Sequence, residues 1–263
     1  MPVLNEKWKS RIRGMPGFPA IRFLRGLARS AKSVDEARSY LWTARMLRQP
    51  ADGLFQPFPE SAADRYPQIF RYIREQIGDG NQARILSFGC STGEEILSLR
   101  GHFPRAHIVG IDINPHNIAI CRARMHRDGM DGIAFSVASS AVEELSESFE
   151  AILAMAVFRH GELNRVPPPS RCDHRIRFAG FERAVEDLAR CLKPRGLLAI
   201  GHAMFRFSDT RIAPRFKTVL QANRDSSPLY DRNDCLLPDE HCTAGVFQKL
   251  PASSGPGVQL TGA

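Results

Sequence analysis

The stretch Arg84-Ile-Leu-Ser-Phe-Gly-Cys-Ser-Thr-Gly93 decides the fold. Its first half is a short apolar run, which predicts a buried strand, and the run breaks at Gly89 into small residues. The apolar-periodic residues that follow Gly93 predict a helix. A strand, a tight turn of small residues and a helix open a nucleotide-binding βαβ unit, where glycine lets the backbone approach the ligand.

The next predicted strand, over residues 107–111, ends in an acid. This acid is Asp112, which follows Gly93 by 19 residues. A carboxylate at this place can accept hydrogen bonds from both hydroxyls of an adenosine ribose. The glycines and the acid together favour a cofactor that contains adenosine.

The same turn also matches the G-x-S-x-G nucleophile elbow of α/β-hydrolases, with Ser91 as the nucleophile. This alternative needs a later histidine such as His202 as its partner. An elbow normally follows several strands and a glycine-rich oxyanion loop. The residues before Arg84 look mostly helical and contain no such loop, so the context favours the nucleotide-binding turn.

Composition indicates one main domain with appendages, since 43% of the 263 residues are hydrophobic. No apolar run approaches the roughly 18 residues of a membrane span. The six cysteines form no C-x-x-C pair, so neither a metal site nor a disulfide framework is expected. We therefore expect reduced cysteines in a cytoplasmic protein.

The excess positive charge is confined to residues 1–50, which hold 11 Lys/Arg and 3 Asp/Glu, whereas the rest of the chain is neutral. Residues 21–32 form a basic amphipathic helix candidate. Its basic residues share one stripe opposite apolar ones: Arg22, Arg25, Arg29 and Lys32. The helix could pack on the domain, bind an anionic surface or acidic partner, or belong to a targeting peptide. Surface binding would make the protein peripheral at a membrane.

Predicted strands alternate with predicted helices through the centre of the chain. Further strands are expected over 133–137, 149–154 and 197–201, with a closing edge strand over 245–250. The fold class is therefore α/β, a Rossmann-like, mostly parallel sheet with helices on both faces and a helical N-terminal extension. The predicted divisions are the basic extension 1–60, the Rossmann-like domain 61–251 and a disordered tail 252–263.

Two helix starts carry local signals. Ser33 and Glu36 form a capping-box pattern. Asn114 followed by Pro115 supplies an N-cap and a first-turn proline. Both signals predict helices that begin at these positions.

These motifs resemble the class I S-adenosylmethionine-dependent methyltransferases over about residues 65–250. The resemblance implies methyltransferase activity with S-adenosyl-L-methionine as the cofactor. It rests on the turn Ser87 to Gly93, the strand end Asp112, and the segments Phe149-Glu-Ala-Ile-Leu153 and Leu192-Lys-Pro-Arg-Gly-Leu-Leu-Ala-Ile200.

The segment Gly89-Cys-Ser-Thr-Gly-Glu-Glu95, together with Ile200-Gly-His202, resembles the chemotaxis receptor glutamate methyltransferases. That resemblance implies that Glu94 contacts the methionine part of the cofactor and that Asp112 holds the ribose. The chain departs from this family at three places. Met155-Ala156 replaces an Arg-Asn pair, Leu54-Phe-Gln-Pro-Phe58 lacks the arginine of an N-terminal cofactor segment, and Ser139 replaces an acid near the adenine.

The predicted site lies at the carboxyl edge of the sheet, where open α/β folds bind ligands. His160, just past the fourth strand, is the candidate catalytic residue that holds or deprotonates the acceptor, or else a satisfied helix-start histidine. The predicted cofactor contacts are Phe88, Gly89, Cys90, Ser91, Gly93, Glu94, Asp112, Ile113, Asn114, Ser139 and Met155.

Apolar residues expected over the carboxyl edge favour a small-molecule acceptor, methylated on oxygen or nitrogen. They are Phe55, Phe58, the three prolines 167–169 and the segment 205–216. A protein glutamate O-methyltransferase and a non-catalytic binding module remain alternatives. The sequence does not indicate the oligomeric state.

Overall fold

A computed structural model describes residues 18–59, 62–78 and 83–251 of the chain. Seven strands of the described residues form one sheet in the order β3-β2-β1-β4-β5-β7-β6. The strands are β1 Arg84–Phe88, β2 His107–Asp112, β3 Ile133–Val137, β4 Phe149–Met155, β5 Leu192–Gly201, β6 Phe216–Tyr230 and β7 Leu236–Lys249.

Strands β1 to β5 are parallel, and β1 lies at the centre of this part of the sheet. Leu86 of β1 is paired with Val109 of β2 on one side and with Ile152 of β4 on the other. Because both faces of β1 and β4 are covered, these strands read as nearly continuous apolar runs rather than as alternating ones. The predicted Rossmann-like α/β class is confirmed.

The antiparallel end of the sheet differs from the sequence prediction. Residues 245–249 belong to β7, which lies between β5 and β6 and is antiparallel to both, so β6 is the edge strand. The strand predicted over 245–250 is therefore present, but its predicted position at the edge of the sheet is wrong. Alternation of apolar residues reports the pleat of a strand and carries no information about how many neighbours it has.

Six helices of the described residues cover the sheet and its N-terminal side. They are α1 Phe18–Arg29, α2 Val34–Met46, α3 Pro67–Ile77, α4 Glu94–His102, α5 Pro115–Arg127 and α6 Phe178–Cys191. Helices α3, α4 and α5 bury one apolar cluster, which includes Ile73, Leu99 and Ile118. Helix α6 buries a second cluster, which includes Phe181 and Leu188. The sheet thus has helices on both faces.

Both predicted helix starts are confirmed. The Ser33 Oγ accepts a hydrogen bond of 3.1 Å from the backbone N–H of Glu36, where α2 begins. The Asn114 side chain accepts one of 3.0 Å from the N–H of His116, and Pro115 is the first residue of α5. The short connection between β2 and α5 is therefore fixed at Asn114, two residues after Asp112.

Helices α1 and α2 pack together and α2 contacts α5. Leu24, Leu47 and Phe58 are buried in a shared cluster, whereas Arg25 and Arg29 are exposed. In its described part, the basic helix thus packs its apolar side on the domain.

Residues 1–17, the predicted domain boundary at 60–61 and the predicted tail 252–263 lie outside the described residues, and the division into domains stays a prediction. None of the helices in the described ranges has the length and apolarity needed to cross a membrane.

Candidate active site

The turn after β1 lies at the carboxyl edge of the sheet and is tied to β2. The backbone N–H groups of Gly89 and Cys90 both donate to the carbonyl of Ile111, over 2.8 and 3.0 Å. Gly89 has a φ of 77°, and a Cβ at this position would lie 2.7 Å from Val157. Only glycine fits, because the conformation is left-handed and the next loop approaches closely.

A first cavity opens on one side of this turn and encloses about 480 Å³ of empty space, part of it continuous with solvent. It is bordered by the ends of β1, β2 and β4 and by the connector that follows α2. Its lining residues are Gly53, Leu54, Phe55, Gln56, Phe88, Gly89, Ser91, Ile111, Asp112, Ile113, Ala138, Ser139, Ala156 and Val157.

Asp112 is the charged residue of this cavity, and its carboxylate is held by three donors. The N–H of Ser91 bonds one oxygen over 2.9 Å. The N–H of Asn114 and the amide of Asn117 bond the other over 2.8 and 3.2 Å. Burial raises the pKa of Asp112, and these hydrogen bonds oppose the rise. The carboxylate therefore has a fixed orientation, with acceptor capacity left for a ligand.

A second cavity, of about 430 Å³ and also partly open, lies on the other side of the turn. Its lining residues are Ala62, Arg65, Tyr66, Phe70, Gly89, Cys90, Ser91, Glu95, Met155 and Ala156. The two cavities share Gly89, Ser91 and Ala156. One elongated ligand could therefore occupy both and cross at the turn.

Glu95 is the acid of the second cavity. Its carboxylate accepts a 2.7 Å hydrogen bond from the Ser87 Oγ. Burial raises the pKa of Glu95 to about 7, against the opposing effects of this hydrogen bond and the charge of Arg65. Burial likewise raises the pKa of Tyr66 to about 12, against the opposing effect of the neighbouring Arg65. This side of the turn is polar and incompletely satisfied.

Ser91 has a φ of 52° and lines both cavities. Its Oγ is buried and has no hydrogen-bond partner among the described residues. A serine nucleophile would need a histidine within hydrogen-bond reach, so the hydrolase alternative fails on geometry. An orphaned buried hydroxyl at the junction of two cavities instead fits a bound ligand.

Eight of the predicted cofactor contacts line one or both cavities: Phe88, Gly89, Cys90, Ser91, Asp112, Ile113, Ser139 and Met155. Three others do not. Gly93 is the left-handed N-cap of α4, with a φ of 91°. Asn114 lies behind Asp112, and Glu94 faces α5.

Glu94 forms an ion pair of 3.1 Å with Arg124 of α5 and accepts a 2.7 Å hydrogen bond from the Thr92 hydroxyl. The adjacent Glu95 is the one that reaches a cavity. The two glutamates follow each other in the sequence, and successive helical residues point about 100° apart. The residues that the sequence reasoning missed are Glu95, Tyr66 and Arg65, of which only Glu95 carried a signal, as the neighbour of Glu94.

His160 lies outside the lining of both cavities. It is buried at the start of a short 3₁₀ helix, Gly161–Asn164, where its Nδ1 accepts the N–H of Glu162 over 3.3 Å. Burial, together with the charges of Arg175 and His174, lowers the pKa of His160 to about 3. The ring is neutral at pH 7, so this geometry gives it a capping role and offers no support for catalysis.

The expected aromatic cover is present only in part. Phe55 lines the first cavity and packs edge-to-face on Phe158, with ring centroids 5.1 Å apart. Phe205 and Phe207 are instead buried in the core beside other aromatic rings. Within the described residues, no cluster of three or more His, Cys, Asp or Glu could hold a metal ion, and the six cysteines are free thiols.

The strand order and the site at the carboxyl edge define a class I methyltransferase fold, the class that uses S-adenosylmethionine. The sequence profile of the family described as "Methyltransferase domain" matches residues 79–231. The chain belongs to this family. The cofactor fits the residues present, since the oriented Asp112 carboxylate and the orphaned Ser91 hydroxyl both border the paired cavities.

Three curated proteins are similar to parts of the chain. A malonyl-[acyl-carrier protein] O-methyltransferase of Bacillus cereus is 29% identical over 35% of this chain and 33% of its own length. A demethylmenaquinone methyltransferase of Thermus thermophilus is 27% identical over 44% and 46%. The ribosomal RNA small subunit methyltransferase C of Ectopseudomonas mendocina is 24% identical over 60% and 56%.

The chain thus spans between a third and somewhat more than half of the length of these relatives. The acceptors in their names differ in kind, so these relatives support the methyltransferase class and leave the acceptor open. None of these three relatives is a chemotaxis receptor glutamate methyltransferase, the family that the segment Gly89–Glu95 resembles.

Proposed function

We propose that this chain transfers a methyl group from S-adenosylmethionine to an oxygen or nitrogen of a small-molecule acceptor. The observation that carries the proposal is the pair of cavities that meet at Gly89, Ser91 and Ala156. When bound, the cofactor supplies an electrophilic methyl group on a positively charged sulfur. Since that group is already activated, the chain's own contribution is alignment and exclusion of water.

The first cavity suits the adenosine end. Asp112 presents a carboxylate that accepts hydroxyl hydrogen bonds, and Ser139 and Ile113 border the same space. Three protein donors already fix the carboxylate, so binding a ribose requires little reordering of this side chain. We assign the ribose to Asp112 and the adenine to the side of Ser139.

The second cavity suits the amino-acid end. It holds a carboxylate on Glu95, a guanidinium on Arg65 and the hydroxyl of Tyr66. An ammonium group would pair with Glu95, and a carboxylate with Arg65 and Tyr66. Opposite charges lining one cavity are complementary to a zwitterion. Arg65 would then take the role of the arginine that the segment Leu54–Phe58 lacks.

The cover of the first cavity favours a small acceptor. The connector from Gly53 to Gln56 lies over the carboxyl edge, and a Cβ on Gly53 would lie only 2.9 Å from the Ser139 Cβ. Because the bound cofactor would fill this covered cavity, an acceptor must reach the methyl group near the turn from the rim. A small, slender molecule can follow such a path more easily than a folded macromolecular surface can. A general base is needed only if the methyl acceptor binds in its protonated form.

Labelled cofactor separates the candidate acceptors. The protein is incubated with methyl-labelled S-adenosylmethionine and, separately, with metabolite, protein and RNA extracts, with Asp112→Ala as the inactive control. We expect label in the metabolite fraction alone. Base-labile methyl ester in protein would favour the glutamate-methylating alternative, and label in RNA would favour an RNA acceptor. Binding of S-adenosylhomocysteine without transfer to any fraction would favour a non-catalytic module.

We further propose that the N-terminal extension contacts an anionic surface or acidic partner. Exposed basic side chains on α1 and α2 support this: Arg25, Arg29, Arg38 and Arg45. Such binding weakens steeply with salt. The test is co-sedimentation with anionic vesicles at 0.05 and 0.5 M salt for wild type and for an Arg25→Glu, Arg29→Glu double variant. Equal sedimentation of the two proteins would contradict the proposal.

A further inference from the structure

The N-terminal extension is linked to Asp112 through one buried hydroxyl. Ser39 of α2 is 2% exposed, and its Oγ donates a 2.7 Å hydrogen bond to the Asn117 Oδ1. The same Oγ accepts a 3.0 Å hydrogen bond from the Asn114 Nδ2. Both asparagines belong to the start of α5 and are buried. The Ser39 hydroxyl therefore satisfies two amides of a different part of the chain.

The Asn117 amide connects the Ser39 hydroxyl to the Asp112 carboxylate. Its Oδ1 faces Ser39, and its Nδ2 consequently faces the Asp112 Oδ1, to which it donates over 3.2 Å. Without Ser39, the Asn117 amide loses the donor to its oxygen, and its orientation is then set by the Asp112 carboxylate. A rotated amide would turn its oxygen toward the carboxylate, which is repulsive in a buried setting.

We infer that Ser39 is a positioning residue for cofactor binding: by orienting the Asn117 amide it holds the Asp112 carboxylate toward the first cavity. The inference rests on the proposed function, since it assumes that Asp112 binds the ribose. It gives the N-terminal extension a role in the site although the extension precedes the residues matched by the methyltransferase family.

The test compares Ser39→Ala with Ser33→Ala, a matched control on the same helix. Ser33 caps α2 through Glu36 and has no hydrogen bond to α5. We expect Ser39→Ala to weaken S-adenosylhomocysteine binding about tenfold by calorimetry. We expect Ser33→Ala to lower the melting temperature with a dissociation constant within about twofold of wild type.

A double-mutant cycle separates positioning from general loosening of the fold. In the Asp112→Asn background, Ser39→Ala should change the dissociation constant by less than about twofold, because the carboxylate that it positions is gone. Independent effects that multiply in the double variant would overturn the inference. If Ser39→Ala does not fold, Asn117→Ala replaces it, since it breaks the same link while keeping Ser39, and the same tenfold loss is expected.

The outcomes also distinguish this inference from the proposed function. A wild-type protein that binds no S-adenosylhomocysteine would overturn the proposed function and the inference together. Wild-type binding with an unchanged dissociation constant in Ser39→Ala, or in its substitute Asn117→Ala, would overturn the inference alone.

Discussion

Asp112 at the first cavity and Glu95 at the second are acids on opposite sides of one turn, and the protein surrounds them differently. Asp112 accepts hydrogen bonds from three protein donors, two of them backbone N–H groups. For Glu95 the structure gives one donor, the Ser87 hydroxyl, and a pKa near 7. The first site is preorganised, whereas the second leaves a carboxylate that a cationic ligand group would complete.

The largest expected effect comes from removing the preorganised acid. Asp112→Ala should weaken S-adenosylhomocysteine binding about 30- to 1000-fold, since losing a buried charged partner costs roughly 2–4 kcal/mol. Isothermal titration calorimetry measures this directly. A loss of affinity below about fivefold would mean that Asp112 is not the preorganised ligand-binding acid described above.

Glu95 should make binding depend on pH. A cationic ammonium favours the ionised carboxylate, so affinity should rise as the pH increases through about 7, the value to which burial raises the pKa of Glu95. Binding at pH 7 should also release a proton. Glu95→Gln should bind about tenfold more weakly at pH 8 and lose most of the dependence between pH 6 and 8.

The measurement is calorimetry in two buffers with different ionisation enthalpies, which reports the released protons. A matched control is Glu94→Gln, the neighbouring residue, in which the pH dependence should persist. If Glu95→Gln keeps the wild-type profile, another group in the two cavities titrates, and the assignment of the ammonium end is wrong.

Glu94→Gln should act on stability rather than on binding. The change leaves Arg124 without its 3.1 Å carboxylate partner, and both side chains are largely buried. Removing one member of such a pair costs up to about 3–5 kcal/mol, less here because glutamine still accepts a hydrogen bond. Thermal unfolding should show a lower melting temperature, with S-adenosylhomocysteine affinity within about threefold. A large loss of affinity would instead support the predicted contact between Glu94 and the cofactor.

The smallest catalytic effect is expected at His160, outside both cavities. His160→Asn should reduce kcat/KM less than about fivefold, whereas loss of a general base costs about 100-fold or more. Because burial lowers the pKa of His160 from 6.5 to about 3, the unfolded chain binds more protons in this range, and stability falls as the pH drops below 6.5. Denaturant unfolding at pH 7.5 and 5 should show less acid lability in the variant.

The central part of the fold could be predicted because its signals are local. The run from Arg84 to Phe88, the acid at Asp112 and the cap at Asn114 each specify a strand, a strand end or a helix start within a few residues. The arrangement of the antiparallel strands was harder to predict from the sequence. Long strands β6 and β7 pair with each other and with β5, and the alternation of 245–250 says nothing about that partner choice.

By itself, the sequence determined the class of protein, the position of the glycine turn after β1 and eight of the residues that line its two cavities. These could be predicted because glycine, proline and capping side chains act over one turn of chain. Only the tertiary structure showed that Glu95, rather than Glu94, lines a cavity, because the rotation of α4 is set by packing against α3 and the sheet. The tertiary structure also brought Ser39 to Asn114 and Asn117, which follow it by 75 and 78 residues. Such contacts depend on how distant helices dock, which no local pattern encodes.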